Sequence, residues 1–251
     1  MDCEHAILIQ APNGQNLLID GGPDPNKLNL ELSKKLPFWD RTIDLMICTQ
    51  PQADHITGLV EVLQRYKVKQ VIDSEIPYDS SIYREWLRLV EDKGIKHEIA
   101  RAGQEIDLGS GIKMEVLNPP EGLFEGTSHD VDNNGIVLSL SWGKARFLFT
   151  ADIREEAEFE LIRQRVNLKS TVLKVAHHGS KTSTSPQFLA AVAPEAAVIS
   201  VGADNPFGHP DPELVERLID RLGEDNVYRT DEGGTIEFMT DGERLWVRLG
   251  E

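Results

Sequence analysis

Alternating strand-like and helical segments, opened in each half by a β-hairpin, most strongly limit the folds available to this sequence. Residues 5–12 and 15–22 are two apolar runs separated by an Asn-Gly turn, which is typical of a hairpin. A buried strand is predicted over 42–49, and a second hairpin over 136–152 opens the other half. Two such halves predict two sheets packed together with helices outside. We therefore expect a four-layer α/β/β/α sandwich that forms one domain over 1–251.

The remaining segments complete the alternation, and they include no linker, low-complexity stretch or repeat. Helices are predicted over 28–36, 56–67, 80–94, 155–165, 185–192 and 211–222. Strands are predicted over 68–75, 170–180 and 195–202, with shorter ones over 96–101, 105–108, 112–120 and in the tail 227–249. A polar loop is predicted over 121–132, and the second hairpin is expected to turn at Gly143 and Lys144.

The acidic composition limits the partners of the chain. The net charge is −16 over 251 residues, which argues against bulk electrostatic attraction to nucleic acid or anionic lipid. It leaves open a local basic or metal-bearing groove. No apolar run approaches the roughly 20 residues that span a bilayer, and the segment after Met1 lacks the pattern of a signal peptide. Cys3 and Cys48 are too few for a disulfide framework and fit a reduced compartment.

Acidic residues and histidines follow several predicted strands. Strand ends on one edge of a sheet can converge on one cleft, and aspartate with neutral histidine suits zinc, manganese or iron. A divalent ion there could polarise a phosphoryl or carbonyl oxygen and lower the pKa of its water. The candidate ligands are Asp20 in IDGG, Asp54 and His55 in QADH, Asp152 in FTAD, and His177 and His178 in AHHGS.

Each candidate also has a purely structural interpretation. Asp20 before two glycines could be a turn residue, and Asp152 could cap the helix that follows it. Asp54 and His55 could cap the helix predicted from Ile56. The histidine pair is harder to explain as structure, and the joint pattern is more specific than any of its members.

Several segments resemble the metallo-β-lactamase superfamily, and within it the ComEC-like branch of DNA-uptake channel proteins. They are AILIQAPNGQNLLIDGG, QADHITGL, NNGIVLSLSWGKARFLFTADI, VLKVAHHGSKTSTSPQFL, AVISVGADNPFGHP and VYRTDEGGTIEF, between residues 6 and about 238. HHGSKTSTS and ISVGADNPFGHP are the specific ones, whereas IDGG alone is weak. The resemblance implies the αββα sandwich and a metal-dependent hydrolase of phosphodiester bonds that degrades the DNA strand left outside the cell.

Only some of the metal-ligand positions that the resemblance implies are occupied by matching residues in this chain. The first motif is H-x-H-x-D-H, and an aspartate often replaces its second histidine in the ComEC-like branch. Here Gln50 and Gln52 occupy its first two ligand positions, and Asp54 and His55 match its last two. Asp152 matches the bridging aspartate.

The other two histidine positions are less clear. Either His177 or His178 matches the late histidine, since strand alternation puts them on opposite faces and a turn could reorient them. The middle histidine has no clear counterpart: Asn133 and Asn134 lie near its place, and His129 a little earlier.

One of the two metal positions is therefore degenerate. A glutamine carbonyl is a neutral, weak ligand, whereas the residues that remain form a plausible single-metal site. We expect one ion, Mn²⁺ or Zn²⁺, rather than two, with no bound ion as the alternative. A single ion lacks the paired clamp on the attacking and leaving oxygens.

Hydroxyls and ammonium groups near the histidines suit phosphate. Lys174, Ser180, Lys181 and His209 are the candidate substrate contacts, with an ordinary solvated loop, and a turn role for His209, as alternatives. Arg229 either contacts phosphate or pairs with Asp231. Aromatic residues are scattered, and no stacking platform for single-stranded nucleic acid is predicted.

The leading functional hypothesis is a metal-dependent nuclease in which Asp54 and His55 are catalytic, Asp54 by orienting the attacking water. The alternative is a DNA-guiding or structural module that lost efficient chemistry, and a lactonase or thioesterase ranks third. The expected partners are the phosphate backbone of DNA and a transmembrane channel domain of a bacterial parent protein. We expect this chain to be a soluble, monomeric domain excised from that protein, with a free-standing relative as the alternative.

Overall fold

A computed structural model describes residues 6–37 and 39–250, which form two compact units, one up to Ala100 and the other from Arg101 onward. Met1, Cys3 and the first residue of the apolar run 5–12 lie outside the described residues. The prediction of one domain over 1–251 stays a prediction. None of the helices in the described ranges is long and apolar enough to span a membrane.

The first unit is built on a five-stranded sheet in the order β1-β2-β4-β6-β7. The β1–β2 hairpin is antiparallel, as predicted, and the other pairings in this sheet are parallel. The strands of the first unit are β1 Ile7–Gln10, β2 Asn16–Ile19, β3 Thr42–Ile43, β4 Leu45–Cys48, β5 Lys67–Val68, β6 Gln70–Asp73 and β7 Lys96–Ile99. The helices of this unit are α1 Pro25–Lys35, α2 Ala53–Arg65 and α3 Ser81–Asp92.

The strand predicted over 42–49 is two strands. Asp44 separates them: its carboxylate accepts hydrogen bonds from the Asn16 backbone N–H at 2.8 Å and from Lys69 Nζ at 2.6 Å. β3 therefore pairs with β5 in a small sheet of its own, while β4 joins the main sheet. All four residues of β4 are buried, which fits a central parallel strand. The strand predicted over 68–75 is divided in the same way between β5 and β6.

The second unit is built on a seven-stranded sheet in the order β14-β13-β12-β11-β10-β9-β8. The pairings from β8 to β11 are antiparallel and those from β11 to β14 are parallel. Its strands are β8 Glu105–Asp107, β9 Lys113–Asn118, β10 Val137–Trp142, β11 Ala145–Phe149, β12 Val172–Lys174, β13 Ala196–Ile199, β14 Val227–Arg229, and the separate pair β15 Ile236–Thr240 and β16 Leu245–Leu249; its helices are α4 Asp130–Asn133, α5 Glu155–Arg163, α6 Pro186–Val192, α7 Pro212–Leu222 and α8 Thr230–Gly233.

Two predictions for the second unit need correction. The strand predicted over 170–180 ends at Lys174, and His177–Gly179 is a 3₁₀ turn in which both histidines have positive φ. Simple strand alternation therefore does not describe the histidine pair. The loop predicted over 121–132 runs into the short helix α4. The β10–β11 hairpin turns at Gly143 and Lys144, as predicted.

Each unit has its own apolar core. In the first unit, Ile56, Leu59 and Leu63 of α2 are fully buried. In the second, Phe188 of α6 and Leu214 of α7 are fully buried. Each such side chain stabilises the fold by about 1.5–3 kcal/mol relative to an exposed position. The buried side chains thus pack these helices into the core of their own unit.

Candidate functional site

Asp20 and His55 are joined by a hydrogen bond in the first unit. Asp20 follows β2 and is 3% exposed, and its Oδ2 lies 2.9 Å from His55 Nδ1. Thr49 donates to the same carboxylate from its backbone N–H at 2.8 Å and from its hydroxyl at 2.6 Å. Because a carboxylate only accepts, His55 Nδ1 carries the proton and the lone pair lies on Nε2. Such carboxylate–histidine pairs orient imidazoles that ligate metals.

Two glycines let the loop after β2 lie against α2. Gly21 donates its N–H to the His55 carbonyl at 2.7 Å, and Gly58 donates to the Gly22 carbonyl at 3.0 Å. A Cβ at Gly58 would lie 2.1 Å from the Gly21 carbonyl oxygen, which no side chain tolerates. The close approach of these two backbones holds Asp20 beside His55. Asp20 is thus more than the turn residue of the structural interpretation.

Asp54 and His55 lie within the first turn of α2, because the helix begins at Ala53, three residues before its predicted start. The helix is capped at Gln52, so the interpretation of Asp54 and His55 as capping residues is wrong. His55 is 1% exposed, whereas the Asp54 side chain is 40% exposed. Asp54 Oδ2 lies 3.9 Å from His55 Nε2. The structure thus brings the two residues of QADH together, one buried and one open to solvent.

In the second unit, His178 is aimed at Asp152. His178 Nδ1 lies 2.9 Å from the Ser200 carbonyl oxygen, so it donates its proton there and leaves the lone pair on Nε2. That Nε2 lies 3.6 Å from Asp152 Oδ2, and both side chains are buried. Helix α5 is capped at Arg154, so the interpretation of Asp152 as its cap is wrong. This tautomer leaves a lone pair on Nε2 of His178, which is one of the candidate metal ligands.

His177 and His209 complete a histidine cluster in this unit. Their ring centroids are 5.7 Å apart, and the ring of His209 stacks on that of His178 at 6.4 Å. The His177 Nδ1 atom is buried without a hydrogen-bond partner among the described residues. Burial lowers the pKa of both His177 and His209. Both are therefore neutral at pH 7, the form that binds metals.

A family model of the metallo-beta-lactamase superfamily matches residues 4–203. The chain belongs to the metallo-β-lactamase superfamily. Its fold agrees: the metallo hydrolase Igni18 from the archaeon Ignicoccus hospitalis has a TM-score of 0.57 and 14% identity, covering 98% of this chain and 95% of its own. The predicted αββα fold class is confirmed.

Two relatives of this metallo-β-lactamase superfamily member confirm its resemblance to ComEC-type competence proteins. ComE operon protein 3 of Bacillus subtilis is 29% identical over 204 residues, which are 79% of this chain and 25% of the relative. Competence protein ComA of Neisseria gonorrhoeae is 37% identical over 131 residues, 51% of this chain and 18% of the relative. The chain thus spans a quarter or less of the length of these relatives.

Gln50 and Gln52, the two positions predicted to be degenerate, form a hydrogen bond with each other. Gln50 is fully buried, and its Nε2 donates to Gln52 Oε1 at 2.9 Å. Cys48 Sγ donates to the Gln50 carbonyl at 3.0 Å, and burial raises the pKa of this thiol, so it stays protonated. Two histidines would present lone pairs at these positions, whereas here two amides form a hydrogen bond.

Asn133 and His129, near the place predicted for the middle histidine, belong to a network of side-chain contacts. Asn133 is fully buried: its Oδ1 accepts from the Arg154 backbone N–H at 3.2 Å, and its Nδ2 donates to Glu156 Oε2 at 3.3 Å. Arg154 Nε donates to Asp132 Oδ2 at 2.7 Å, and its Nη1 lies 3.3 Å from His129 Nε2. This network joins the loop before β10 to the start of α5.

The candidate substrate contacts differ in their exposure. Lys174, in β12, is 6% exposed, and Ser180 is 5% exposed with its hydroxyl 2.9 Å from that of Thr182. Lys181 is exposed and His209 is half-buried. Arg229 pairs with Asp231 through two hydrogen bonds of 3.1 and 2.6 Å, as the alternative predicted. Of the two candidate lysines, Lys174 is thus buried and Lys181 is open to solvent.

A buried glutamate holds the end of the HHGSKTSTS loop. Glu158 of α5 is fully buried and accepts hydrogen bonds from the backbone N–H groups of Thr184 and, at 2.9 Å, Ser185. Arg217 Nη1 donates to the Thr184 carbonyl at 2.9 Å, and Ser183 Oγ donates to the carbonyl of Ala176 at 2.9 Å. Glu158 is not predicted from the sequence, because a single glutamate on a helix rich in acidic residues matches no site motif.

Proposed function

We propose that this domain is the metal-dependent phosphodiesterase of a DNA-uptake protein and degrades the DNA strand that is not transported. The competence relatives and the superfamily membership support the biological setting. The observation that carries the chemistry is the pair of preset histidines. His55 and His178 each donate Nδ1 to a fixed oxygen and keep the Nε2 lone pair beside a carboxylate.

The proposed ligands are the residues that the family resemblance implies: Asp54, His55, Asp152 and His178. Neutral imidazole nitrogen and carboxylate oxygen suit Zn²⁺ or Mn²⁺. A bound divalent ion would supply Lewis acidity toward a phosphoryl oxygen. One ion rather than two is proposed, because the amides of Gln50 and Gln52 are engaged with each other.

The protein groups have distinct proposed roles. Asp20 and the Ser200 carbonyl keep the two histidines in one tautomer and one orientation. Asp54, with its exposed carboxylate, orients the attacking water. Lys181, Ser180 and His209 are proposed to contact the phosphate backbone of DNA, with the buried Lys174 adding positive charge behind them.

The test is hydrolysis of 5′-labelled single-stranded DNA with Mn²⁺ by the wild type and Asp152→Asn. We expect Mn²⁺-dependent cleavage that falls at least about 100-fold in the variant, because even a change in an outer-shell partner costs roughly 10–100-fold. Asp92→Asn, an exposed aspartate on α3, is the matched control and should cleave like the wild type. Cleavage by Asp152→Asn at the wild-type rate would refute the proposal.

A second candidate function is favoured by the Gln50–Gln52 hydrogen bond. A domain whose first metal position is closed by amides could guide DNA through the channel without cutting it. In the same experiment, wild-type protein that binds DNA with Mn²⁺ but leaves it intact would support this candidate over the nuclease.

A further inference from the structure

Phe207 lies exposed on the loop that follows β13. Its side chain is 76% exposed, and it belongs to the segment ADNPFGHP. Burial of a phenylalanine side chain stabilises a fold by about 1.5–3 kcal/mol, which this position forgoes. Exposure alone does not indicate a role, since Phe159 on α5 is 67% exposed. The surroundings of Phe207 distinguish it.

The loop around Phe207 is tied down by Asn205. Asn205 Oδ1 accepts from the backbone N–H groups of Phe207 at 3.2 Å and His209 at 3.0 Å. Asn205 Nδ2 donates to the carbonyls of Gly202 at 2.9 Å and His209 at 2.7 Å. One side chain thus makes four contacts within the loop and holds the Phe207 backbone in place. A ligand that met this ring would meet a preorganised surface, which lowers the entropic cost of binding.

Phe207 is the outermost ring of a stack that leads to Asp152. Its ring lies 6.2 Å from that of His209 with an interplanar angle of 23°, and His209 lies 6.4 Å from His178 at 11°. These separations are those of offset-stacked aromatic pairs. His178 Nε2 is in turn 3.6 Å from Asp152 Oδ2. An aromatic ligand on Phe207 would therefore lie two rings away from the histidine proposed as a metal ligand.

We propose that Phe207 is a stacking platform for one nucleobase of the DNA strand whose phosphate is bound beside His178 and Asp152. The inference rests on the proposed function and adds a subsite to it. A planar, uncharged ring suits any of the four bases, because every base has a π-face. Such a contact does not discriminate between sequences, and DNA of any sequence can use it. The sequence analysis predicts no stacking platform, since a lone phenylalanine does not form an aromatic pattern.

The test is binding of two labelled 12-mers, measured by fluorescence anisotropy with Mn²⁺ present. One is oligothymidylate and the other has the same backbone with abasic sugars; both carry phosphorothioate linkages, which resist cleavage. Stacking of one base is worth about 1–3 kcal/mol, so the wild type should prefer oligothymidylate by roughly 5- to 150-fold. Phe207→Ala should lose that preference and bind the abasic strand as the wild type does.

Two further variants separate stacking from structure. Phe207→Trp offers a larger ring and should keep the preference, whereas Phe159→Ala, the matched exposed phenylalanine, should change neither affinity. Mn²⁺ binding measured by calorimetry should be the same in Phe207→Ala as in the wild type, because Phe207 is no ligand. A loss of metal binding in Phe207→Ala would show a structural role and overturn the stacking proposal.

The remaining outcomes are also decisive. If the wild type binds both strands equally, or if Phe207→Ala weakens both by the same factor, no base stacks on Phe207. Those outcomes would overturn the stacking inference but would not contradict the proposed nuclease function. If the wild type binds neither strand, the DNA-directed function fails, and the stacking inference fails with it.

Discussion

Gln50 Nε2 and Gln52 Oε1 form a 2.9 Å hydrogen bond where the superfamily's first motif has two histidines. Gln50 is fully buried, so its amide cannot form hydrogen bonds with solvent. The bond gives each amide a partner within the protein and leaves no imidazole lone pair for a metal. Within CTQPQADH, the amides of Gln50 and Gln52 thus bond to each other, and His55 is held by Asp20.

Restoring both histidines should reopen the first metal position. We expect Gln50→His/Gln52→His to bind two equivalents of Mn²⁺ in calorimetry where the wild type binds one. Two ions clamp both the attacking and the leaving oxygen, so DNA hydrolysis should rise by about tenfold or more. Gln50→Ala/Gln52→Ala removes the same hydrogen bond without adding ligands and should keep the wild-type stoichiometry. An unchanged stoichiometry and rate in the histidine variant would mean that two-metal ligation is not recoverable at this site.

Asp20→Asn should weaken metal binding without disturbing the backbone. Asp20 has a φ of 55°, and asparagine tolerates this left-handed region well, so the substitution tests the carboxylate alone. The amide no longer fixes the His55 tautomer, and we expect Mn²⁺ affinity in calorimetry to fall roughly 10–100-fold. Thr49→Val removes one donor to Asp20 but leaves the Asp20–His55 bond, so its loss should be the smaller of the two. Equal losses would assign the effect to general packing.

The strand-end pattern predicted that acidic residues and histidines lie near one another, because parallel strands present their carboxyl ends at one edge of a sheet. Asp20 and His55, and separately Asp152 and His178, do meet after their strands. The sequence could not choose between His177 and His178. That choice depends on a turn with two positive φ angles and on the Ser200 carbonyl, which is 22 residues away along the chain.

Other features of the structure also depend on contacts between residues that are distant in the sequence. The division of the strand at Asp44 follows from its hydrogen bonds to Asn16 and Lys69, which no local pattern indicates. The role proposed for Phe207 rests on its ring contact with His209. Hydrophobic periodicity thus predicts elements well, whereas the use of a single polar or aromatic residue is set by its partners in three dimensions.

The contacts of His177 and His178 predict that His178 binds the metal and that His177 does not. His178 Nε2 faces Asp152 while the Ser200 carbonyl fixes its Nδ1, whereas no oxygen among the described residues fixes the Nδ1 of His177. We therefore expect His178→Ala to abolish Mn²⁺ binding in calorimetry, and His177→Ala to retain it within about tenfold, the lower bound for outer-shell changes. Circular dichroism of both variants would confirm that they fold. Loss of binding in His177→Ala alone would reverse the assignment.

The final prediction concerns Glu158, which closes the loop that carries both histidines. Burial raises its pKa from the usual 4.5 to about 7, against the opposing effect of the N–H donors of Ser185 and Thr184. Between pH 4.5 and 7 the folded protein keeps a proton that the unfolded chain has released. The free energy of unfolding should therefore fall as the pH rises through this window, by up to about 3 kcal/mol at 1.36 kcal/mol per pKa unit.

Glu158→Gln lacks this proton and should lack the slope. In urea unfolding at pH 5 and pH 8, we expect the stability of Glu158→Gln relative to the wild type to increase with pH. Glu216→Gln, an exposed glutamate on α7, should show no such change. If the relative stability of Glu158→Gln instead falls with pH, the two backbone donors outweigh burial. Glu158 would then be ionised in the folded protein, and it would hold Thr184 and Ser185 as a carboxylate throughout the neutral range.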